Sequence, residues 1–241
     1  MNKGVDNMPS KFSDISESTA PLTDRIFDLL QDSIIKGDIP AGSKISEPEL
    51  AKTYGVSRGT LREALSRLEE RRLIIRSPNH GVRVISLTYE ELIETYQIRE
   101  VLGGLGCSLA AQNMTNEEIA ELRRLLDEHE KSINEDQGLS YYQEEGEFDF
   151  HYRIWQGSRN NKLLAILDGG LYPLIRMYRY QFSTASHRPY QALKEHRRIV
   201  DAIEERDAEV ADLLMRRHIR AARISAEERH KSMMAKDENN G

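Results

Sequence analysis

Ser46-Glu-Pro-Glu-Leu-Ala-Lys-Thr-Tyr-Gly-Val-Ser57-Arg-Gly-Thr-Leu-Arg62-Glu-Ala-Leu65 reads as two short helices about a tight turn. The first is expected to start after the capping hydroxyl of Ser46, with Pro48 in its first turn and Glu49 at the capping-box position. Leu50 and Ala51 supply its buried side. Gly55 suits the left-handed backbone that ends a helix, Val56 drops into the core of the turn, and Ser57 caps the second helix. There Leu61, Ala64, Leu65 and Leu68 recur at spacings of three and four, which leaves Arg58, Thr60, Arg62 and Arg67 free of the core. The start of such a helix is short, polar and basic enough to enter a major groove. Arg58 or Arg62 could pair with guanine edges, and Ser57 and Thr60 could reach phosphates or a thymine methyl.

Downstream, Leu73-Ile74-Ile75 is strand-like, Ser77-Pro78-Asn79-His80-Gly81 is a turn, and Val82-Arg83-Val84-Ile85 alternates. A two-stranded wing is predicted, its tip laying His80 and the Gly81 amide against a nucleic-acid backbone or minor groove. Upstream, Leu22, Ile26, Leu29, Leu30, Ser33 and Ile34 predict a helix over about 22–36, ended by Gly37, with an extended turn over 39–43. Residues 56–86 hold seven Arg and no Lys against three Glu, a local charge of +4 in a chain of net charge -6. The positive patch is local, as phosphate binding requires.

The 241 residues suffice for two domains. The expected division is a mobile tail over 1–20, a winged helix-turn-helix over 21–86, an all-helical domain over 87–230 and a second tail over 231–241. No apolar run approaches the roughly 20 residues that span a bilayer, and Met1–Ala20 lacks a secretory core, so a cytoplasmic protein that binds no membrane is expected. Cys107 is the single cysteine, which excludes an intrachain disulfide; its Gly, Ala and Leu neighbours suit a buried, inert thiol.

From Thr88 onward the apolar period is helical. Leu92, Ile93, Tyr96, Ile98, Val101, Leu102 and Leu109 continue one helix to about Ala111, and Thr115 opens a second. Further helices are predicted over about 139–157, 161–184 with an interruption near Gly169-Gly170 and Pro173, 189–205 and 208–229. Six helices of this length imply a mainly α chain whose second domain is an antiparallel bundle. Its charge of about -7 argues against its binding DNA and for dimerisation and ligand sensing.

Three of the seven histidines sit on apolar stripes. His196 follows Leu193 and precedes Val200 and Ile203; His218 follows Val210 and Leu214. Each lies eleven residues from Asp207, so an antiparallel hairpin puts both imidazoles at one height, roughly 16 Å from the bend at 1.5 Å per residue. His151 has Glu147 one turn before it and Trp155 one turn after. A lone buried histidine is usually packing, but three together, with matched height and a carboxylate, suit a first-row metal site with room for water or an anionic ligand. His129, His187 and His230 show no such pattern and are expected at the surface, and Asp149 at the surface or behind a ligand.

The order of parts over residues 22–86 resembles the GntR family of bacterial transcription regulators. The resemblance is carried by Gly37-Asp-Ile-Pro-Ala-Gly42, Glu49-Leu-Ala51, Gly55-Val-Ser-Arg-Gly-Thr-Leu-Arg-Glu-Ala-Leu65, Leu68, Leu73 and Gly81. It implies that Ser57, Arg58, Gly59, Thr60 and Arg62, with His80 and Gly81 of the wing, touch DNA. One departure is Pro48, where the fatty-acid-responsive branch has a DNA-contacting arginine. Residues 88–229 resemble the FCD domain of the FadR subfamily, through Ile98-Arg-Glu-Val-Leu102, Leu109-Ala-Ala111, Phe150-His151, Asn161, Glu195-His196, Ala202-Ile203, Ala211 and His218-Ile219. That likeness implies zinc or nickel held by Glu147, His151, His196 and His218, although aspartate is usual where this chain has Glu147. It also implies that Arg99 faces the cavity and takes a carboxylate effector, against a plain surface salt bridge to Glu100 or Glu94.

These readings together describe a metabolite-responsive regulator, a repressor relieved by its ligand, that binds a palindromic operator as a homodimer. Phrases around Gly146–Ile154 and Leu214–Ile219 are also similar to GntR regulators of propionate and methylcitrate metabolism. Two alternatives stay open: a metal-dependent hydrolase built on the bundle, and a DNA-binding protein with a purely structural ion.

Overall fold

The computed structural model describes residues 20–78, 81–86, 88–135, 137–138, 149–182 and 188–238; His80, Glu147, His187 and residues 1–19 of the tail expected over 1–20 lie outside them. The chain forms two compact units, Met1–Thr88 with Asp168–Met177, and Tyr89–Leu167 with Tyr178–Gly241.

In the first unit, α1 (Leu22–Lys36), β1 (Lys44–Ile45), α2 (Glu47–Thr53) and α3 (Arg58–Glu70) precede β2 (Ile74–Ser77) and β3 (Gly81–Val84). Ile26, Leu30 and Ile34 of α1 and Leu61, Leu65 and Leu68 of α3 are fully buried in one core. Each contributes about 1.5–3 kcal/mol of transfer free energy. Helix α1 stops at Gly37, whose φ of 85° suits a residue without Cβ and whose N–H donates to the Ile34 carbonyl.

Ser46 occupies the N-cap of α2 but makes no side-chain cap hydrogen bond, and the expected capping box does not form there. Pro48 removes one of the two amides such a hydroxyl can reach, which weakens the drive to form it. Ser57 does cap α3: its Oγ accepts from Thr60 N at 3.1 Å and lies 2.9 Å from Thr60 Oγ1. The expected wing exists as β2 and β3 and gains a third strand, β1, in an antiparallel sheet of order β1-β3-β2. Two residues are too few to show alternation, so β1, just past the turn expected over 39–43, has no periodic signal in the sequence. Met177, fully buried, completes the core of this unit.

The second unit is helical: α4 (Tyr89–Asn113), α5 (Asn116–Glu135), α6 (Phe150–Gly157), α7 (Asn161–Ile166), the end of α8 (Tyr172–Phe182), α9 (Arg188–Glu204) and α10 (Ala208–Glu238). Of the helix expected over 139–157 the structure has 150–157, residues 139–148 lying outside the description. The interruption at Gly169-Gly170 is a π-helical turn over Leu167–Leu171. The last helix continues to Glu238, through residues read from the sequence as tail.

Helix α4 packs on α6, α9 and α10, and α9 on α5 and α10. Ile98 and Val101 do not join its buried face as the apolar period suggested. They are 51% and 52% exposed, on one side of the helix with Leu105. Apolar residues of α4 are spread over more than one side of the helix, and periodicity alone does not choose between them. The buried side instead carries Gly103, Gly104 and Gly106. A Cβ on Gly106 would stand 2.8 Å from Trp155 Cδ1, so the glycine admits a fully buried indole. Among the described residues no helix is long and apolar enough to cross a membrane.

Gly106→Val is expected to destabilise the protein by about 1–3 kcal/mol through overpacking against Trp155, measurable as a lower urea midpoint. An unchanged midpoint would show that the indole yields freely.

Candidate functional site

Arg58, Gly59 and Arg62 are exposed on the first turns of α3, opposite its buried leucines, and Thr60 is half-buried beside the Ser57 cap. Arg62 donates to Glu47 at 3.0 Å, and Arg76 to Glu47 at 3.1 Å and Glu69 at 2.9 Å. These are exposed pairs of small net worth that polyanionic DNA can displace. Arg67 takes another direction, packing its guanidinium 4.1 Å over the Phe27 ring and pairing with Asp24. Gly81, exposed at the wing turn with a φ of 76°, provides backbone where a side chain would be strained.

The second cluster is buried within the helical unit. His151 on α6, His196 on α9 and His218 on α10 bring ring nitrogens together: His218 Nε2 lies 3.2 Å from both His151 Nε2 and His196 Nε2. The shared height predicted for His196 and His218 is thus met. The stripe that buries His218 is Ala211, Met215 and Ile219, however. Val210 is 40% exposed and Leu214 half-buried, because the α4-facing side of α10 is one residue round from the sequence assignment.

Behind these rings stand two carboxylates. His218 Nδ1 lies 2.6 Å from Glu195 Oε2, and both Glu195 oxygens accept from Arg188 at 2.9 Å. His151 Nδ1 lies 3.4 Å from Asp149 Oδ1, at ion-pair distance though without hydrogen-bond alignment. Asp149 is fully buried, caps α6 by accepting from the His151 and Tyr152 amides, and pairs with Arg179 at 2.6 Å. It sits behind a ring, one of the two places the sequence left open. Burial pushes its carboxyl up, but the Arg179 charge and the His151 contact outweigh this and hold it well below the usual range. Burial first, opposed by Arg188, raises Glu195.

Burial drives all three imidazoles well below their ordinary pKa, helped at His218 by the charges of Arg188, Arg99 and Arg179. They are therefore neutral, and at His151 and His218 the carboxylate facing Nδ1 favours the tautomer that leaves the lone pair on Nε2. The facing lone pairs of these two rings, 3.2 Å apart, repel each other, and nitrogens on a tetrahedral ion with bonds of about 2.0–2.1 Å have nearly this spacing. The donor set fits a divalent ion of zinc type. Phe150 stacks on the His196 ring, centroids 4.0 Å apart, and limits its rotation.

Arg99 is 1% exposed, which removes the surface salt-bridge reading; Glu100 pairs with Arg220 instead. Its Nη2 lies 3.3 Å from His151 Nε2, and burial lowers its pKa to about 10, which leaves it charged at neutral pH. Glu147 is outside the described residues. His129, expected at the surface, is buried on α5 in line with Leu125, Leu126 and Ile133, and His230 is half-buried against Tyr89. Cys107 is buried as expected, its thiol raised by burial. The sequence reading missed Glu195, Arg188 and Arg179. Only the adjacency of Glu195 to His196 hinted at the first, and no spacing rule finds the arginines.

A helix-turn-helix with a wing in one unit and a helical bundle that encloses a polar centre in the other are the parts of a transcription regulator. Residues 22–84 match the family described as bacterial regulatory proteins, gntR family, and residues 94–221 match the FCD domain. The chain is 32% identical over 190 residues to the uncharacterized HTH-type transcriptional regulator YdhC of Bacillus subtilis, covering 78% of this chain and 83% of that protein. It is 29% identical to the probable D-xylose utilization operon transcriptional repressor of Paenarthrobacter nicotinovorans, over 82% and 85% of the two chains. A putative GntR transcriptional regulator from Rhodococcus sp. RHA1 superposes with a TM-score of 0.65 at 26% identity, covering 85% of this chain and 96% of that one. The chain belongs to the GntR family, in the group that carries an FCD domain, and it is a transcription regulator rather than an enzyme.

Because the folded imidazoles resist protonation, the unfolded chain binds more protons below an ordinary histidine pKa of about 6.5. Stability from these groups is complete above that value and is lost as pH falls. The Tm of metal-stripped protein is expected to drop between about pH 7 and pH 5, less steeply in His196→Gln. Parallel slopes would remove His196 from the neutral cluster.

Proposed function

We propose that this protein is a homodimeric repressor that binds a palindromic operator and is released by a small carboxylate sensed at a divalent ion. The observation that carries this reading is the convergence of three neutral Nε2 atoms beside a buried, charged Arg99. His151, His196 and His218 would hold the ion, with Glu147 as a fourth ligand, and zinc or nickel suits these donors. The bound ion would supply Lewis acidity toward a carboxylate. Arg99 supplies a planar donor fork for the same group. Asp149 and Glu195 orient the rings, and Arg179 and Arg188 hold those carboxylates in place. In such a design the effector shifts DNA affinity only by its preference for one of two conformations.

Operator contacts are assigned to Ser57, Arg58, Gly59, Thr60 and Arg62, with His80 and Gly81 reaching the backbone or minor groove. The dimer is supported by Ile98, Val101 and Leu105, exposed along one side of α4, an apolar stripe of the kind that marks association surfaces. A regulator working on chromosomal DNA would reside in the cytoplasm.

Arg58→Ala with Arg62→Ala is expected to weaken specific operator binding about a hundredfold or more while the oligomeric state stays the same. His196→Ala is expected to lower metal content, read by mass spectrometry, and to abolish the carboxylate response. Unchanged metal stoichiometry would overturn the ligand set, and a bound ion with no response to any carboxylate would favour a structural role. Separately, Val101→Glu with Leu105→Glu should shift sedimentation from dimer to monomer, and a persistent dimer would place the interface elsewhere.

A further inference from the structure

Arg99 carries more than a recognition role. Around the three rings the described residues provide two carboxylates, Asp149 and Glu195, and three guanidiniums, Arg99, Arg179 and Arg188. Arg179 and Arg188 are each matched to one carboxylate. Arg99 is the cation left over, and its Nε and Nη1 have no hydrogen-bond partner among the described residues. Among the described residues the one acceptor its guanidinium reaches is the Nε2 of His151, at 3.3 Å, and its Cζ stands 5.3 Å from the Tyr96 ring centre.

That acceptor is the lone pair a cation at the histidine cluster needs. Arg99 therefore opposes such a cation twice, by engaging His151 and by placing a positive charge beside it where burial screens little. Both penalties are removed by the same event. A carboxylate accepting from Nε and Nη1 neutralises the guanidinium and gives it a better partner than an imidazole. We propose that Arg99 makes ion loading of the His151, His196 and His218 cluster conditional on a carboxylate, so that the protein registers the two together rather than holding a permanent ion. This rests on the cation reading of the cluster given above. Because coupling is reciprocal, the ion must raise carboxylate affinity by the same factor.

The test measures zinc affinity of the full chain by competition with a chromophoric chelator, in a carboxylate-free buffer and again with acetate as the smallest carboxylate probe. Matched chloride serves as the ionic-strength control. Wild type is expected to bind zinc about tenfold or more tightly in acetate than in chloride. Arg99→Met, which keeps the stem and removes the charge, is expected to bind zinc more tightly than wild type without carboxylate and to show no acetate effect. Circular dichroism confirms that the variant is folded, and Arg99→Lys, which keeps the charge, should stay closer to wild type. Equal or weaker zinc binding by Arg99→Met, or no acetate effect in wild type, would overturn the proposal while leaving the cation reading intact. Absence of zinc binding in every protein and buffer would defeat the cation reading itself.

Discussion

Two carboxylates facing the inner nitrogens of two imidazoles decide what the helical unit can do. Without Glu195 at 2.6 Å, the His218 ring could turn or change tautomer, and its Nε2 could carry a proton as readily as a lone pair. With that carboxylate fixed by Arg188, the outer nitrogen becomes an electron-pair donor aimed at two others. Burial then removes the cheaper remedy of protonating a ring. The packing of α4, α6, α9 and α10 serves this geometry: Phe150 stacks on one ring, Asp149 caps the helix that bears another, and glycines on α4 let its neighbours approach closely.

The DNA-reading unit rests on a different balance. Its arginines are exposed and its acids, Glu47 and Glu69, sit among them, so the free protein has a weakly paired surface that loses little when a phosphate backbone arrives. Specificity needs a rigid presenter. That rigidity comes from the buried leucines of α3 and from one hydroxyl on the Thr60 amide, which sets the start of the helix where base contacts would be made.

Features that repeat along the chain were legible in the sequence. The helix from Leu22 to Lys36 with its glycine stop, the Ser57 cap and the pairing of His196 with His218 across a hairpin all follow from local chemistry and the 3.6-residue period. Where the apolar pattern was ambiguous, the reading slipped: α4 turns Ile98 and Val101 outward, His218 lies on the Met215 stripe, and His129 is buried. Long-range partnerships were not legible. Arg179 reaches Asp149 across thirty positions, and Arg188 reaches the His218 carbonyl across another thirty, and neither distance has a signature in one sequence.

Helix α8 belongs to the DNA-reading unit as far as Met177 and to the bundle from Tyr178. Met177 is wholly enclosed among the leucines and isoleucines of the amino-terminal unit, although it lies far beyond the wing strand that ends at Val84. The usual practice of cloning a winged domain as a cassette would therefore excise it from part of its own interior. A fragment ending near Thr88 loses a methionine plug, and chimeras between regulators of this kind must carry the matching piece of α8 or accept a hollowed core.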